Sequence, residues 1–95
     1  MAEYKFDGTY FINKRYEKLA KVNGDYIEDN RYNKIAKISG DYIEDNKYNK
    51  VAKISGDNIE DSRYNKIAKI DDLKKIVEGH PSRMQLVAFW FFFVR

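Results

Sequence analysis

Four tyrosines recur at one step along the chain, Tyr16, Tyr32, Tyr48 and Tyr64, each directly preceded by a cation: Arg15, Arg31, Lys47 and Arg63. Aromatic faces beside cationic groups can stack on a sugar or a base and hold an anion. Two lysine series keep the same step, Lys18, Lys34, Lys50, Lys66 and Lys21, Lys37, Lys53, Lys69. If one set converges on an axis it forms a ligand-binding ring. The plainer alternative is that each lysine pairs with a facing acid and each tyrosine covers its own turn. The carboxylate pairs Glu28/Asp29, Glu44/Asp45 and Glu60/Asp61 could cleave a glycosidic bond if they flanked a cleft. Their recurrence in successive copies reads instead as structural. Asp29-Asn30 and its copies offer oxygen donors to calcium, but without the spacing of an EF-hand loop.

The remaining residues narrow the chemistry further. The single histidine, His80, precedes Pro81 and reads as a solvated turn residue. With no cysteine and no second histidine, Cys/His nucleophilic chemistry and His-rich metal sites are excluded. Ser39, Ser55 and Ser62 lie in turns, not at a strand-turn-helix elbow. No catalytic, cofactor-binding or metal-ligating residue is assigned, no cofactor is expected, and the chain reads as non-enzymatic.

The elements that must position these groups are repeats. Residues 23–38, 39–54 and 55–70 are three near-identical copies of a sixteen-residue unit, and 7–22 is a diverged first copy in the same frame. The first copy keeps Gly8, Tyr10, Tyr16, Lys18, Ala20 and Lys21, with Thr9, Ile12 and Asn13 where the others are acidic. Asn23-Gly24, Ser39-Gly40 and Ser55-Gly56 supply a glycine for a tight hairpin turn. The second turn of each copy, Asp29-Asn30-Arg31-Tyr32-Asn33 and its equivalents, is rich in residues that bond their own backbone. Short β-rich runs lie between, the spacing of an all-β meander. A three-residue loop of Asn46, Lys47 and Tyr48 would place Asp45 opposite Asn49, Glu44 opposite Lys50, Ile43 opposite Val51 and Asp41 opposite Lys53. Alternation then puts Ile43 and Val51 on one face, with Tyr42, Ala52 and Ile54 on the other. Two apolar faces suit hairpins closed around an axis better than a flat sheet with one wet side.

After Ile70 the repeat stops. Leu73, Ile76 and Val77 have helical spacing between acids at Asp71-Asp72 and Gly79, predicting one or two helical turns. The tail from Met84 to Arg95 is the most apolar stretch and too short to span a membrane as a helix. Its aromatic content favours a strand and Pro81 upstream favours a helix, so both stay open. Leu86, Phe89, Trp90, Phe91, Phe92 and Phe93 are candidates for core or interface: the favoured expectation is a plug for the hairpins, with self-association and membrane contact as alternatives. Phe11, Ile12 and Leu19 of the first copy are the expected partners.

Ninety-five residues make one domain, 1–95, with the repeats followed by a C-terminal segment, 71–95. The net charge of +3 comes from interleaved acids and bases, so no segregated basic stripe marks a nucleic-acid partner and none is expected. Lack of cysteine favours a reducing compartment, and Met1 to Lys5 lead into polar sequence without an apolar signal core; the expected location is cytoplasmic.

Gly24-Asp25-Tyr26-Ile27-Glu28-Asp29 with Ile35-Ala36-Lys37-Ile38, and the equivalents in the other copies, resemble the repeat of the bacterial four-fold β-flower proteins. The resemblance covers residues 7–70. It implies four hairpins around a pseudo-fourfold axis, and it implies no activity. The expected fold is thus all-β, flower- or barrel-like, with the short C-terminal helix and the buried hydrophobic tail read from residues 71–95. Tyr32, Tyr48 and Tyr64 depart from it, standing where a turn glycine is common. The expectation is therefore a non-enzymatic structural or interaction module that self-associates as a homo-oligomer. The alternative is a small-ligand or glycan-binding module using the tyrosine and Lys/Arg rings, its ligand unknown.

Overall fold

A computed structural model describes residues 3–95. The described residues form one ten-stranded sheet in the order β10-β1-β2-β3-β4-β5-β6-β7-β8-β9. Its strands are β1 (Tyr4–Phe6), β2 (Tyr10–Asn13), β3 (Lys18–Asn23), β4 (Tyr26–Asp29), β5 (Lys34–Ser39), β6 (Tyr42–Asp45), β7 (Lys50–Ser55), β8 (Asn58–Asp61), β9 (Lys66–Lys69) and β10 (Val77–Glu78). From β1 to β9 consecutive strands pair antiparallel, as a meander of short hairpins should. The all-β expectation holds, but the sheet is open, with β9 and β10 as its edges, and is not closed into a barrel.

Local chemistry sets both turns. Asn23 faces Tyr26 across the two-residue loop Gly24-Asp25. Gly24 has φ 62°, the positive value that the first central position of a type II′ turn requires. In the longer turn, the Tyr48 N–H donates to the Asp45 carbonyl at 3.0 Å and the Asp45 N–H to the Asn49 carbonyl at 2.9 Å. Asn46, Lys47 and Tyr48 form the expected three-residue loop, with Tyr48 left-handed at φ 66°. The Asp45 Oδ1 accepts from the Lys47 and Asn49 N–H groups at 2.8 and 3.0 Å, tying the loop shut. Asn13 does the same in the first copy, accepting from Arg15 and Glu17 at 2.9 and 3.0 Å, so its divergence keeps the turn.

The register departs from expectation one residue past the turn. Glu44 faces Lys50 as expected, but Val51 is an extra residue, so Ile43 faces Ala52 and Tyr42 faces Lys53. The same bulge falls at Leu19, Ile35 and Ile67. Asp41 stays in its turn, where its carbonyl accepts the Ile54 N–H at 3.0 Å. The physical reason lies in Lys50-Val51-Ala52-Lys53. Strict alternation would drive one of those lysines into the core, at a desolvation cost far above that of a bulge. With the bulge both lysines stay wet. Ile43, Ala52 and Ile54 therefore share the dry face, and Tyr42 lies on the opposite one with the lysines, which corrects the expected assignment of faces.

The dry face carries Phe11, Ile27, Ile43 and Ile59, all fully buried, each directly opposite Ala20, Ala36, Ala52 or Ala68. Small side chains beside large ones leave room for a helix to approach. That helix is the tail: α2 (Arg83–Phe89) crosses β5 and β6 and continues as a π-helical turn, Trp90–Val94. Ser82 caps α2 in a capping box, accepting from the Gln85 N–H at 3.1 Å while its own N–H donates to Gln85 Oε1 at 2.9 Å. Pro81 precedes the cap instead of entering the first turn. Leu86, Val87, Ala88 and Phe89 are buried; Leu86, Val87 and Phe89 are each worth about 1.5–3 kcal/mol of transfer free energy and the Ala88 methyl about 0.8 kcal/mol. Phe89 stacks on Phe11 at 4.5 Å, so the expected partnership with the first copy holds for Phe11; Leu19 packs against the core cluster, and Ile12, facing Lys18 and Lys5, stands apart from it.

The expected one or two helical turns form at the start of 71–79, with Ile76 and Val77 beyond their end. A five-residue α1 (Ile70–Lys74) ends at Lys75, and Val77–Glu78 pairs parallel to Tyr4 and Lys5. Gly79, at φ 101°, passes so close to the Phe6 carbonyl that a Cβ would collide with it. Arg83 bonds the Gly56 carbonyl and pairs with Asp57 at 3.5 Å, anchoring the start of α2 to the fourth copy.

Candidate functional site

The bulge that keeps the lysines wet also builds the site. Lys34 and Lys37 are three apart, yet both lie on the face that carries Tyr26: Lys37 opposite Tyr26, and Lys34 opposite Glu28. The Lys34 Nζ stands 4.4 Å and the Lys37 Nζ 5.9 Å from the Tyr26 ring centre. In the next copy Lys50 and Lys53 stand 4.2 and 5.6 Å from Tyr42. In the first, Lys18 is 4.2 Å from Tyr10, and Lys21 is 5.7 Å from Tyr32, which comes from the following turn.

Three grooves result among the described residues, each closed on one side by the next copy. The first is lined by Tyr10, Lys18, Lys21, Asp29, Asn30 and Tyr32. Tyr26, Lys34, Lys37, Asp45, Asn46 and Tyr48 line the second. Tyr42, Lys50, Lys53, Asp61, Ser62 and Tyr64 line the third. Their volumes are about 110, 110 and 130 Å³. The fourth copy has Asn58 in place of the strand tyrosine and no turn after it, so the series ends at three.

The candidate ring residues are placed as a row. Tyr16, Tyr32, Tyr48 and Tyr64 project from consecutive turns and are exposed, at 87, 68, 68 and 70 %. Arg15, Arg31, Lys47 and Arg63 stand beside them, also exposed. Tyr32, Tyr48 and Tyr64 each enter a groove; Tyr16 instead adjoins a separate hollow lined by Glu3, Tyr4, Asn13, Lys14, Arg15 and Glu17. The strand tyrosines Tyr10, Tyr26 and Tyr42 complete the grooves and were not singled out as site residues. The signal was present in the polar-apolar-apolar-polar step of Lys-Ile-Ala-Lys, which strict alternation cannot accommodate.

The facing lysines and glutamates share the expected register, but ion pairs do not form between them. Among the described residues the ion pairs are Lys75–Asp72 at 3.9 Å and Arg83–Asp57 at 3.5 Å. The strand lysines of the first three copies rest on tyrosine rings instead, contacts worth about 0.5–1 kcal/mol in exposed settings. Glu28 is buried and accepts from Asn23 Nδ2 at 3.0 Å. The turn carboxylates are engaged as well: backbone N–H donation from Asn33, Asn49 and Asn65 holds Asp29, Asp45 and Asp61 below the usual aspartate range. Glu28 and the turn aspartates are thus committed to the fold, while the strand lysines form no ion pair among the described residues.

Elsewhere, His80 lines a cavity of about 350 Å³ with Lys74, Val77, Pro81, Arg83 and Leu86. The described residues contain no group of three acids, histidines or cysteines arranged to hold a metal. Of the candidate core or interface residues, Leu86 and Phe89 are buried, while Trp90, Phe91, Phe92 and Phe93 are half-buried. Phe93 approaches Phe11 at 6.1 Å, and the Arg95 guanidinium covers Phe91 at 4.3 Å. No helix among the described residues is long and apolar enough to cross a membrane. Set against known protein families, curated proteins and solved structures, the chain has no match.

Proposed function

We propose that this chain is a non-enzymatic interaction module that binds an extended, repeating partner along the wet face of its sheet, one period of the partner per hairpin. The observation that carries this reading is the threefold recurrence of a groove with the same residue types at the same positions. A single compact ligand needs one such site, whereas a row of equal sites suits a polymer through multivalency. The β-flower likeness belongs to this reading: the hairpins act as pseudo-symmetric units around the tail, in a cytoplasmic protein. The test is an NMR titration with neutral glycan, acidic glycan and single-stranded nucleic acid oligomers, following the ring signals of Tyr10, Tyr26 and Tyr42. All three signals should move together with one of these ligands; if none moves with any, the reading is wrong.

A second reading is self-association through the half-buried aromatics Trp90, Phe91, Phe92 and Phe93, which leave apolar surface at one end of the helix. Size-exclusion chromatography with light scattering decides it. A defined dimer or higher oligomer supports it, and a monomer across the concentration range removes it.

A further inference from the structure

Resting on the polymer-binding reading, we infer that the grooves take an acidic polysaccharide whose negative charge recurs once per disaccharide. The stride is the first ground. Equivalent grooves are two strands apart, about 10 Å at the usual strand spacing, which is the length of one extended disaccharide.

Charge is the second. Each of the copies 23–38, 39–54 and 55–70 is balanced, with three acids and three bases. Folding sorts them unevenly. The aspartates go to the turns at either end of the strands, and the wet face keeps two lysines for each glutamate. Lys34 and Lys37 gather around Tyr26, and Lys50 and Lys53 around Tyr42, while Lys18 and Lys21 rest on Tyr10 and Tyr32. One turn aspartate also lines each groove, so an entering anion meets two ammonium groups against one carboxylate, a net positive site.

The third ground is the turn tyrosine. In all four copies a tyrosine holds a left-handed backbone conformation, φ 63 to 66°, that glycine would adopt freely. Three of these rings sit at groove mouths while remaining mostly exposed, the disposition of an aromatic platform for a sugar's C–H face. A nucleic acid fits less well: a duplex carries a phosphate every 3.4 Å of each strand, far closer than the grooves. The strand tyrosines also have a lysine over the ring, which obstructs base stacking.

The experiment is calorimetric titration of the full chain with hyaluronan oligosaccharides, whose carboxylate recurs once per disaccharide. Affinity should rise roughly tenfold for each added disaccharide up to the hexasaccharide, which fills three grooves, and by less than about twofold to the octasaccharide. Added salt should weaken it. Tyr48→Gly, which removes the middle groove's ring at a position glycine favours and so does not threaten folding, should lower hexasaccharide affinity roughly tenfold. If uncharged chitohexaose binds as tightly as the hyaluronan hexasaccharide, the anionic assignment is overturned while the polymer-binding reading stands. Tighter binding of an oligothymidylate overturns the polysaccharide class with the same reading intact. Affinity that stops growing at the disaccharide, or no binding of any probe, brings down both.

Discussion

Replacing Tyr48 with glycine should stabilise the protein while weakening its binding face. The left-handed backbone at φ 66° costs a non-glycine residue about 1–2 kcal/mol. Glycine removes that cost but loses about 0.5–1 kcal/mol more conformational entropy on folding. The ring itself is mostly exposed, so its removal takes little packing with it. The net expectation for Tyr48→Gly is a gain of about 0.5–1 kcal/mol, a rise in Tm of about 2–8 °C for a domain of this size. Turns of successive copies are about 10 Å apart, far enough for near-additivity. The triple variant with Tyr32→Gly and Tyr64→Gly should therefore gain about 1.5–3 kcal/mol. Tyr48→Ala is the control. It loses the ring but keeps the backbone cost, and should stay within about 0.5 kcal/mol of the wild type. Urea unfolding followed by circular dichroism reads each value. A loss of more than about 0.5 kcal/mol in Tyr48→Gly would refute the reasoning, because the ring would then be held for stability and its exposure at the groove would carry no functional meaning.

Three further expectations follow from other parts of the molecule. Ile43→Ala, which empties a fully buried site on the central dry face, should cost about 2–5 kcal/mol in urea unfolding, a large share of a small domain's stability. Gly79→Ala meets both a positive φ and the Phe6 carbonyl, so it should destabilise by more than about 1 kcal/mol; hydrogen exchange should show the loss first at β1 and β10. Asp29, Asp45 and Asp61 have folded pKa values below their unfolded ones, so their contribution is complete above the ordinary aspartate value and is lost as pH falls through the lowered values. Thermal stability should thus hold from neutral pH down to about pH 5 and drop below about pH 4; Asp45→Asn should flatten that acid limb, and an unchanged limb would show that other groups control it.

Much of this was legible because it is local. A turn is decided within a few residues, so Gly24 and the Asp45–Asn49 stretch announce their loops, and the Glu44–Lys50 pairing follows one step beyond. The row of turn tyrosines was equally visible. The strand half of each groove was not, because assigning Tyr42 to a face requires knowing whether the strand alternates strictly through Val51 and Ala52. The bulge there is chosen by the cost of burying a lysine, which exists only once a core exists. Phe11 was identifiable as a partner for the tail, since it sets an aromatic ring where the later copies have isoleucine; that Phe11 would stack on Phe89 was not.

By itself, then, the sequence determined the repeat frame, the two turn types, the all-β meander and the absence of a charge-segregated stripe along the chain. Tertiary structure decided the rest. It sorted balanced charges into committed turn acids and unmatched face lysines, because the pleat and the bulge, not chain order, assign side chains to faces. It made the tail a helix, because a helix satisfies its own backbone hydrogen bonds while covering the dry face with Leu86, Val87 and Phe89. It left the sheet open at β9 and β10, because a short parallel pairing of Val77 and Glu78 with Tyr4 and Lys5, invisible to any local pattern, occupies the edge beside the first copy.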